Sequence, residues 1–242
     1  MLPYLLGAVG VAGAATWAGF QSMWPTSQVY GRTFTGLDTA SRLLALTYDD
    51  GPNDPWTFRL MEVLNRHQVK ATFFLVGKFV EQRPDIARAL VSAGHVIGNH
   101  TWDHPNLIFC SSAEVRRQLQ RTQQAIRDAT GIDVTLFRPP FGGRRPASMR
   151  VARSLGLQAV MWNVTCRDWT PRSTDEIVAL AESQIKGGNV ILLHDGEFHR
   201  IGVDRSRSIE ATDRILSRFQ PEGYEFVTIP QMMKEKHAAI SN

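Results

Sequence analysis

Cysteine is scarce here, with two residues among 242. A disulfide-framed mini-fold is excluded, and so is a zinc ribbon, which needs grouped cysteines. Charge is missing from one end: residues 1–31 hold no Asp, Glu, Lys, Arg or His, and Arg32 is the first charged group. A basic block is missing too. Lys and Arg number 27 against 23 Asp and Glu, a net charge of +4. Arg116–Arg117 and Arg144–Arg145 are isolated pairs. With no stripe to track phosphates, nucleic acid is not an expected partner. No motif implies a protein partner either. Internal repeats and low-complexity tracts are absent from residue 42 onward, and no G-x-G-x-x-G follows the first strand. A dinucleotide fold loses its main support. At 43% hydrophobic and 21% charged residues, the composition is that of an ordinary globular protein, not a disordered, collagenous or polytopic membrane chain.

The uncharged end reads separately from the rest. Residues 2–20 are apolar or small throughout, about the 20 residues that cross a bilayer. They also suit the apolar part of a secretory signal, with Ala12, Ala14 and Ala15 as small residues for cleavage. No positive region precedes them, so orientation stays open. Trp17, Trp24 and Tyr30 suit a membrane-interface belt; a buried N-terminal helix is the alternative. Residues 28–41 read as a linker with turns at Gly31 and Gly36. The division is therefore 1–31 as anchor or signal, placing the protein at the membrane or outside the cytoplasm, and 32–242 as the folded domain. A mildly basic surface suits an anionic wall polymer or a membrane equally.

From residue 42 the pattern alternates. Strands are expected over 43–48, 71–76, 96–99, 136–138, 158–163, 190–193 and 225–228, with helices between them over 56–67, 84–93, 112–130, 146–155, 174–186 and 209–219. Ser111–Glu114 and Ser173–Glu176 have capping-box spacing. The strands are continuous apolar runs, which are buried on both faces as in a helix-covered parallel sheet. About seven such units fit a closed (β/α) barrel or an open doubly wound sheet.

Polar residues gather where these strands end: Asp49–Asp50, His100 with His104, Arg138, Asp168 and His194–Asp195. In a parallel barrel those ends share one face, where active sites sit. Two histidines and a carboxylate with open coordination positions suit Zn²⁺ or a similar divalent ion. His100 and His104 are spaced as one helical turn, which would face both rings the same way. Adjacent aspartates on a strand end point differently, so one can bind metal while the other faces substrate. Cys110 and Cys166 read as two thiols rather than a disulfide. His199 reads as surface or groove mouth, Trp56 as core or sugar-stacking face, and Trp102 and Asp103 as groove lining.

The motifs TYDDGP (47–52), HTWDH (100–104), RPPFG (138–142), RDW (167–169) and LLHD (192–195), in this order, resemble those of the polysaccharide deacetylase family, also called the NodB homology domain or carbohydrate esterase family 4. The resemblance covers residues 42–232. It implies a distorted (β/α) barrel of about seven parallel strands, with the active site at their C-terminal ends. It implies Asp50, His100 and His104 as ligands of zinc, or of cobalt, nickel or another divalent metal. It implies Asp49 as catalytic base, His194 as catalytic acid, Arg138 orienting the base and Asp168 partnering the histidine. Trp169 and Leu192 would line the acetyl groove, and the Phe141 N–H would face the oxyanion. The implied activity is removal of N-acetyl groups from GlcNAc-type polymers, chitin-like or peptidoglycan. O-deacetylation or a silent carbohydrate-binding protein are the alternatives. Phe141 stands where the family usually has Tyr, Tyr48 where Phe is common, and Asn163 and Thr165 where acids are usual.

Overall fold

The computed structural model describes residues 16–240. Eight strands form one sheet. They are β1 (Leu43–Asp49), β2 (Thr72–Leu75), β3 (Val96–Asn99), β4 (Leu136–Phe137), β5 (Gln158–Ala159), β6 (Val164–Thr165), β7 (Asn189–His194) and β8 (Glu225–Phe226). Their order is β5-β4-β3-β2-β1-β7-β6, with β8 beside the start of β1, and every pairing is parallel. Helices surround them: α1 (Trp56–Arg66), α2 (Gly77–Gln82), α3 (Pro84–Ser92), α4 (Ser112–Thr130), α5 (Pro146–Ser154), α6 (Thr174–Gln184), α7 (Ser206–Phe219) and α8 (Ile229–Ile240). The seven strands of the continuous path curl into a half-barrel.

The period of β1 shows why. Leu44, Leu46 and Tyr48 join the large apolar cluster shared with the helices, with Phe73 and Leu75 of β2 and Ile191 and Leu193 of β7. Ala45, Phe74, Leu136 and Val190 form a second cluster on the other face. Alternate residues point to opposite faces, so both faces must be apolar, and the runs read as continuous. Helix ends follow local chemistry. Ser173 and Glu176 form the reciprocal capping box of α6. Ser111 accepts the Glu114 N–H at α4, but the Glu114 carboxylate turns to Arg117 and Gln118 instead. Gly131 ends α4 at φ 75°, the left-handed cap.

Three elements depart from the expectations. The strand expected over 158–163 is two residues long, and the chain then crosses over residues 160–163 to the far side of the sheet, where 164–165 pair with β7. Six-residue α2 follows β2 directly and has no side-chain cap. α8 follows β8, where no helix is expected, although Thr228–Gln231 has capping-box spacing and Gln231 Oε1 accepts the Thr228 N–H at 2.8 Å.

The first fifteen residues of the leader expected over 1–31 lie outside the described residues. Residues 16–23 are helical, with Trp17 54% and Phe20 52% exposed. Among the described residues no helix is long and apolar enough to cross a membrane. The stretch read as a linker is packed instead. Phe34 is buried and pairs with Ala159 and Met161, and the Leu37 N–H donates to Gly188 O at 2.8 Å. Its polar sequence hid this, because the bonds are made by backbone.

Leu44 is fully buried in the central strand. Leu44→Ala is expected to lower stability by about 2–5 kcal/mol, measured by urea unfolding, because its neighbours belong to the rigid sheet and cannot collapse into the cavity.

Candidate metal and catalytic site

The strand ends do meet. Asp49 closes β1, His100 follows β3, Arg138 follows β4 and His194 closes β7. Asp49, Asp50, His100, His104 and His194 line a cavity of about 230 Å³, walled by Phe141, Trp162, Trp169, Leu192 and Phe198, with Arg138 buried behind Asp49. A larger depression of about 890 Å³ lies elsewhere, against Asp38, Leu43 and Glu225 at the opposite end of β1. It gathers no histidine or other paired catalytic groups, so chemistry rather than size singles out the smaller cavity.

Asp50, His100 and His104 are buried, and one ligand atom from each lies within 4.8 Å of the others. Asp50 Oδ1 is 3.5 Å from His100 Nε2 and 3.3 Å from His104 Nε2. The helical spacing expected for the histidines is not how they converge. Residues 100–104 form a loop, with Thr101 at φ 68° and His104 at φ 65°. The loop is held from below: Asn99 Oδ1 accepts the Thr101 N–H, and Gln118 Oε1 of α4 accepts the Trp102 N–H. Trp102 and Asp103 therefore turn away from the groove. Asp103 accepts from Gln118, and Trp102 packs beneath Arg121.

These donors fit a divalent cation. His100 Nδ1 donates to Arg138 O at 2.8 Å, which leaves Nε2 as a lone-pair donor and orients the ring. Asp50 Oδ1 is buried without a hydrogen-bond partner, an exception that calls for an explanation such as an ion. Burial alone would raise the Asp50 carboxyl. The facing His100 and His104 rings, with His194 nearby, outweigh it and hold the carboxyl well below the usual carboxylate range. Burial pushes His104 down to about 3, so its ring is neutral, the form a metal requires.

The two aspartates are set apart by backbone conformation rather than by strand alternation. Asp50 has φ 71°, so the chain turns at once after Asp49 and both carboxylates face the cavity. The bend needs room. A side chain at Gly51 would meet Asp195 Oδ2 at 2.3 Å, and one at Gly196 would meet Asp50 O at 2.2 Å. Asp195 lies under this turn, bonded to Thr57, and burial raises its pKa to about 7.

Arg138 is fully buried. Its Nη1 donates to Asp49 Oδ1 at 2.7 Å and to Thr47 Oγ1 at 2.9 Å. Its Nε and Nη2 donate to the carbonyls of Val160 and Met161, where the chain leaves β5. Burial lowers its pKa, and the Asp49 charge opposes that. Asp49 Oδ2 stays on the ligand side, 3.7 Å from His100 Nε2.

Across the cavity His194 Nδ1 donates to Asp168 Oδ1 at 2.8 Å. Asp168 Oδ2 also accepts the His194 N–H and the Ser208 hydroxyl, each at 2.8 Å. Burial works against the imidazolium, but the Asp168 charge and hydrogen bond, helped by Asp50 and Asp49, raise the His194 pKa. Burial opposes ionisation of Asp168, yet His194 and Ser208 hold it below its ordinary value. Trp169 lies edge-on to His194, with 5.2 Å between ring centroids.

Sequence reading missed Phe198, Trp162 and Ser208 as parts of the site. The Phe198 ring stacks on His104 at 4.3 Å, and its carbonyl accepts from Lys78 Nζ at 2.7 Å. A large apolar residue four positions after His194 in a polar loop was the available signal; Ser208 on α7 had none. His199 is mostly exposed beyond it. Trp56 is partly buried under Arg59, away from the cavity lining. Cys110 and Cys166 are free thiols.

Fold and site together define a curled (β/α) half-barrel with a two-histidine, one-carboxylate cluster at its strand ends. A family profile described as Polysaccharide deacetylase matches residues 36–160. The chain is 36% identical over 196 residues to peptidoglycan-N-acetylglucosamine deacetylase PgdA of Listeria monocytogenes, covering 81% of this chain and 40% of that protein. It thus spans less than half the length of that relative. It is 34% identical over 208 residues to a chitooligosaccharide deacetylase of Sinorhizobium fredii, covering 84% of this chain and 97% of that one. A solved mutant of a carbohydrate esterase family 4 pseudoenzyme from Bacillus anthracis, with restored enzymatic activity, matches at TM-score 0.76 and 31% identity, covering 83% and 71%. The chain belongs to the polysaccharide deacetylase family.

Arg138→Met is expected to cost about 3–5 kcal/mol in urea unfolding, since it leaves the Asp49 charge buried and unpaired. Asp50→Ala is expected to abolish stoichiometric zinc in protein dialysed against the metal, read by elemental analysis, while Leu192→Ala retains it.

Proposed function

We propose that this chain is a metal-dependent hydrolase that removes N-acetyl groups from GlcNAc-type glycans, peptidoglycan or chitin-like, and releases acetate. One observation carries the reading. Two differently prepared proton carriers, Asp49 held by Arg138 and His194 held by Asp168, flank the Asp50–His100–His104 cluster in one cavity. Names of relatives support the substrate class. A pseudoenzyme on the same fold is a reminder that fold alone does not confer activity; here all the named polar groups are present.

The residues divide the work as follows. Asp50, His100 and His104 would hold zinc, or another divalent ion suited to the same donors. When bound, that ion supplies Lewis acidity toward a carbonyl and lowers the pKa of water. Asp49 accepts a proton from the attacking water through Oδ2, while Arg138 fixes Oδ1. The Phe141 N–H donates to the oxygen that becomes negative as the carbonyl carbon turns tetrahedral, a contribution of about 3–4 kcal/mol for such a donor. His194 gives its proton to the amide nitrogen as the C–N bond breaks, so the amine leaves neutral. Asp168 holds that ring and favours its charged form. Trp169 and Leu192 exclude water around the acetyl methyl. Phe141 and Trp169, each 47% exposed at the cavity rim, offer faces to the sugar.

The wall-polymer names of the relatives and the N-terminal segment support a location outside the cytoplasm, membrane-anchored or exported. Residues 1–31 carry no charge, and among them Trp17, Phe20, Met23 and Trp24 are exposed. That arrangement suits an interfacial anchor.

Acetate release by the full-length chain tests the activity on chitin oligomers, peptidoglycan and acetylxylan, each with zinc and with chelator. Chelator-sensitive release from an N-acetylated substrate is expected; release from acetylxylan alone overturns the amidase reading in favour of an esterase. Asp49→Asn and His194→Ala are each expected to retain metal and lose about 10²–10⁴-fold in kcat. A near wild-type rate in either overturns that residue's role.

A further inference from the structure

We propose that Arg144, gripping residues 22–27, is a positioning element of the catalytic pocket that holds the turn at Phe141–Gly142 in shape. The significance of the Phe141 N–H rests on the deacetylase reading; the latch itself does not. Arg144 is 1% exposed, and among the described residues no carboxylate pairs with it. Its partners are carbonyls. Nη1 donates to Gly142 O at 3.0 Å, and Nη2 donates to Trp24 O at 2.6 Å, Ser27 O at 2.8 Å and Pro25 O at 3.4 Å. Its own N–H donates to Ser22 O at 3.0 Å. A buried cation is costly unless hydrogen-bonded, and here every acceptor lies either in the catalytic turn or in the N-terminal segment.

The turn needs such a clamp. Phe141 has φ 57° and Gly142 φ 70°. A bulky residue in the left-handed region stores roughly 1–3 kcal/mol and persists only where its surroundings over-determine it. Gly142 is also confined: a Cβ there would stand 3.0 Å from Trp162, 3.2 Å from Met161 and 3.7 Å from Met23 O. The turn is thus held between the floor of the cavity and the N-terminal segment. That segment is itself tied down. Ser27 Oγ donates to Gln21 Oε1 at 2.6 Å, the Thr33 N–H to Gln28 Oε1 at 2.8 Å, and the Phe34 N–H to Ala159 O at 2.9 Å. A continuous set of bonds therefore runs from β5 through residues 22–34 and Arg144 to the turn. Residues 22–27 lie before the 36–160 stretch that matches the family profile, so Arg144 anchors the turn to a segment outside that stretch.

The test uses the full-length chain and two variants. Arg144→Met keeps the bulk and removes the donors; Arg144→Lys keeps a charge that reaches fewer carbonyls and guards against loss of the fold. Hydrogen exchange at the 141–143 amides is expected to speed up at least ~10-fold in the Met variant, with strand β1 unchanged, since only local opening becomes easier. The kcat for acetate release is expected to fall on the order of 10²-fold, as for a misplaced reacting geometry. KM should stay within about threefold and bound zinc unchanged, the pattern of an interaction made in the transition state. The Lys variant should fall between. Unchanged exchange at 141–143 in both variants overturns the proposal. So does equal acceleration in β1, which would make Arg144 a plain stability residue. If the wild-type chain releases no acetate from any substrate, the deacetylase reading fails, and exchange at 141–143 still decides the latch.

Discussion

The guanidinium of Arg138 is buried where the half-barrel would otherwise come apart. The chain leaves β5 after two residues and crosses over residues 160–163, which takes the carbonyls of Val160 and Met161 away from a regular ladder. Arg138 donates to both, and the same side chain binds Thr47 and Asp49 of the central strand. A buried ion pair is weak evidence for stability in itself, but breaking one is expensive. Here the pair joins the opening of the sheet to the carboxylate at its centre, so the shape of the fold and the orientation of Asp49 share one group.

Backbone strain is concentrated at the same end. Of the six described non-glycine residues at positive φ, Asp50, Thr101, His104, Phe141 and Arg167 lie in the loops that build the cavity, and only Gln68 does not. Each such residue is disfavoured locally. The compensation comes from contacts made elsewhere: Asn99 and Gln118 beneath the 101–104 loop, Asp195 beneath the Asp50 turn, and Arg144 behind the Phe141 turn. These supports come from different strands and helices. The packed sheet thus supplies what each loop lacks, and the loops in turn bring donors and acceptors closer than strand geometry would allow.

The two groups proposed to carry protons are prepared by opposite means. Asp49 is tied to a cation through one oxygen and keeps the other toward the ligand cluster. His194 is tied through Nδ1 to an anion that accepts three hydrogen bonds, which raises the ring's pKa. One cavity therefore holds a carboxylate paired with a cation and an imidazole paired with an anion, with the candidate metal cluster of Asp50, His100 and His104 beside them. The aromatic wall of Phe141, Phe198 and Trp169 surrounds these groups.

Much of this was legible before any coordinates. Continuous apolar runs separated by capped helical stretches determined a covered parallel sheet, because strands buried on both faces cannot alternate. Polar residues at the ends of those runs determined which side chains would meet, since parallel strands bring all their C-terminal ends to one face. What only the tertiary structure decided was how they meet. Residues 100–104 converge as a left-handed loop rather than a helical turn, for the loop's shape depends on Asn99 below it and on Gln118 of a different helix. Phe198 and Ser208 reach the site from segments whose local sequence has no reason to point there. Residues 28–41 read as a linker because their side chains say nothing of the backbone bonds that Phe34 and Leu37 make to distant segments. Sequence periodicity reports which face of an element is buried; it cannot report contacts between elements far apart in the chain, and those contacts set the geometry of this site.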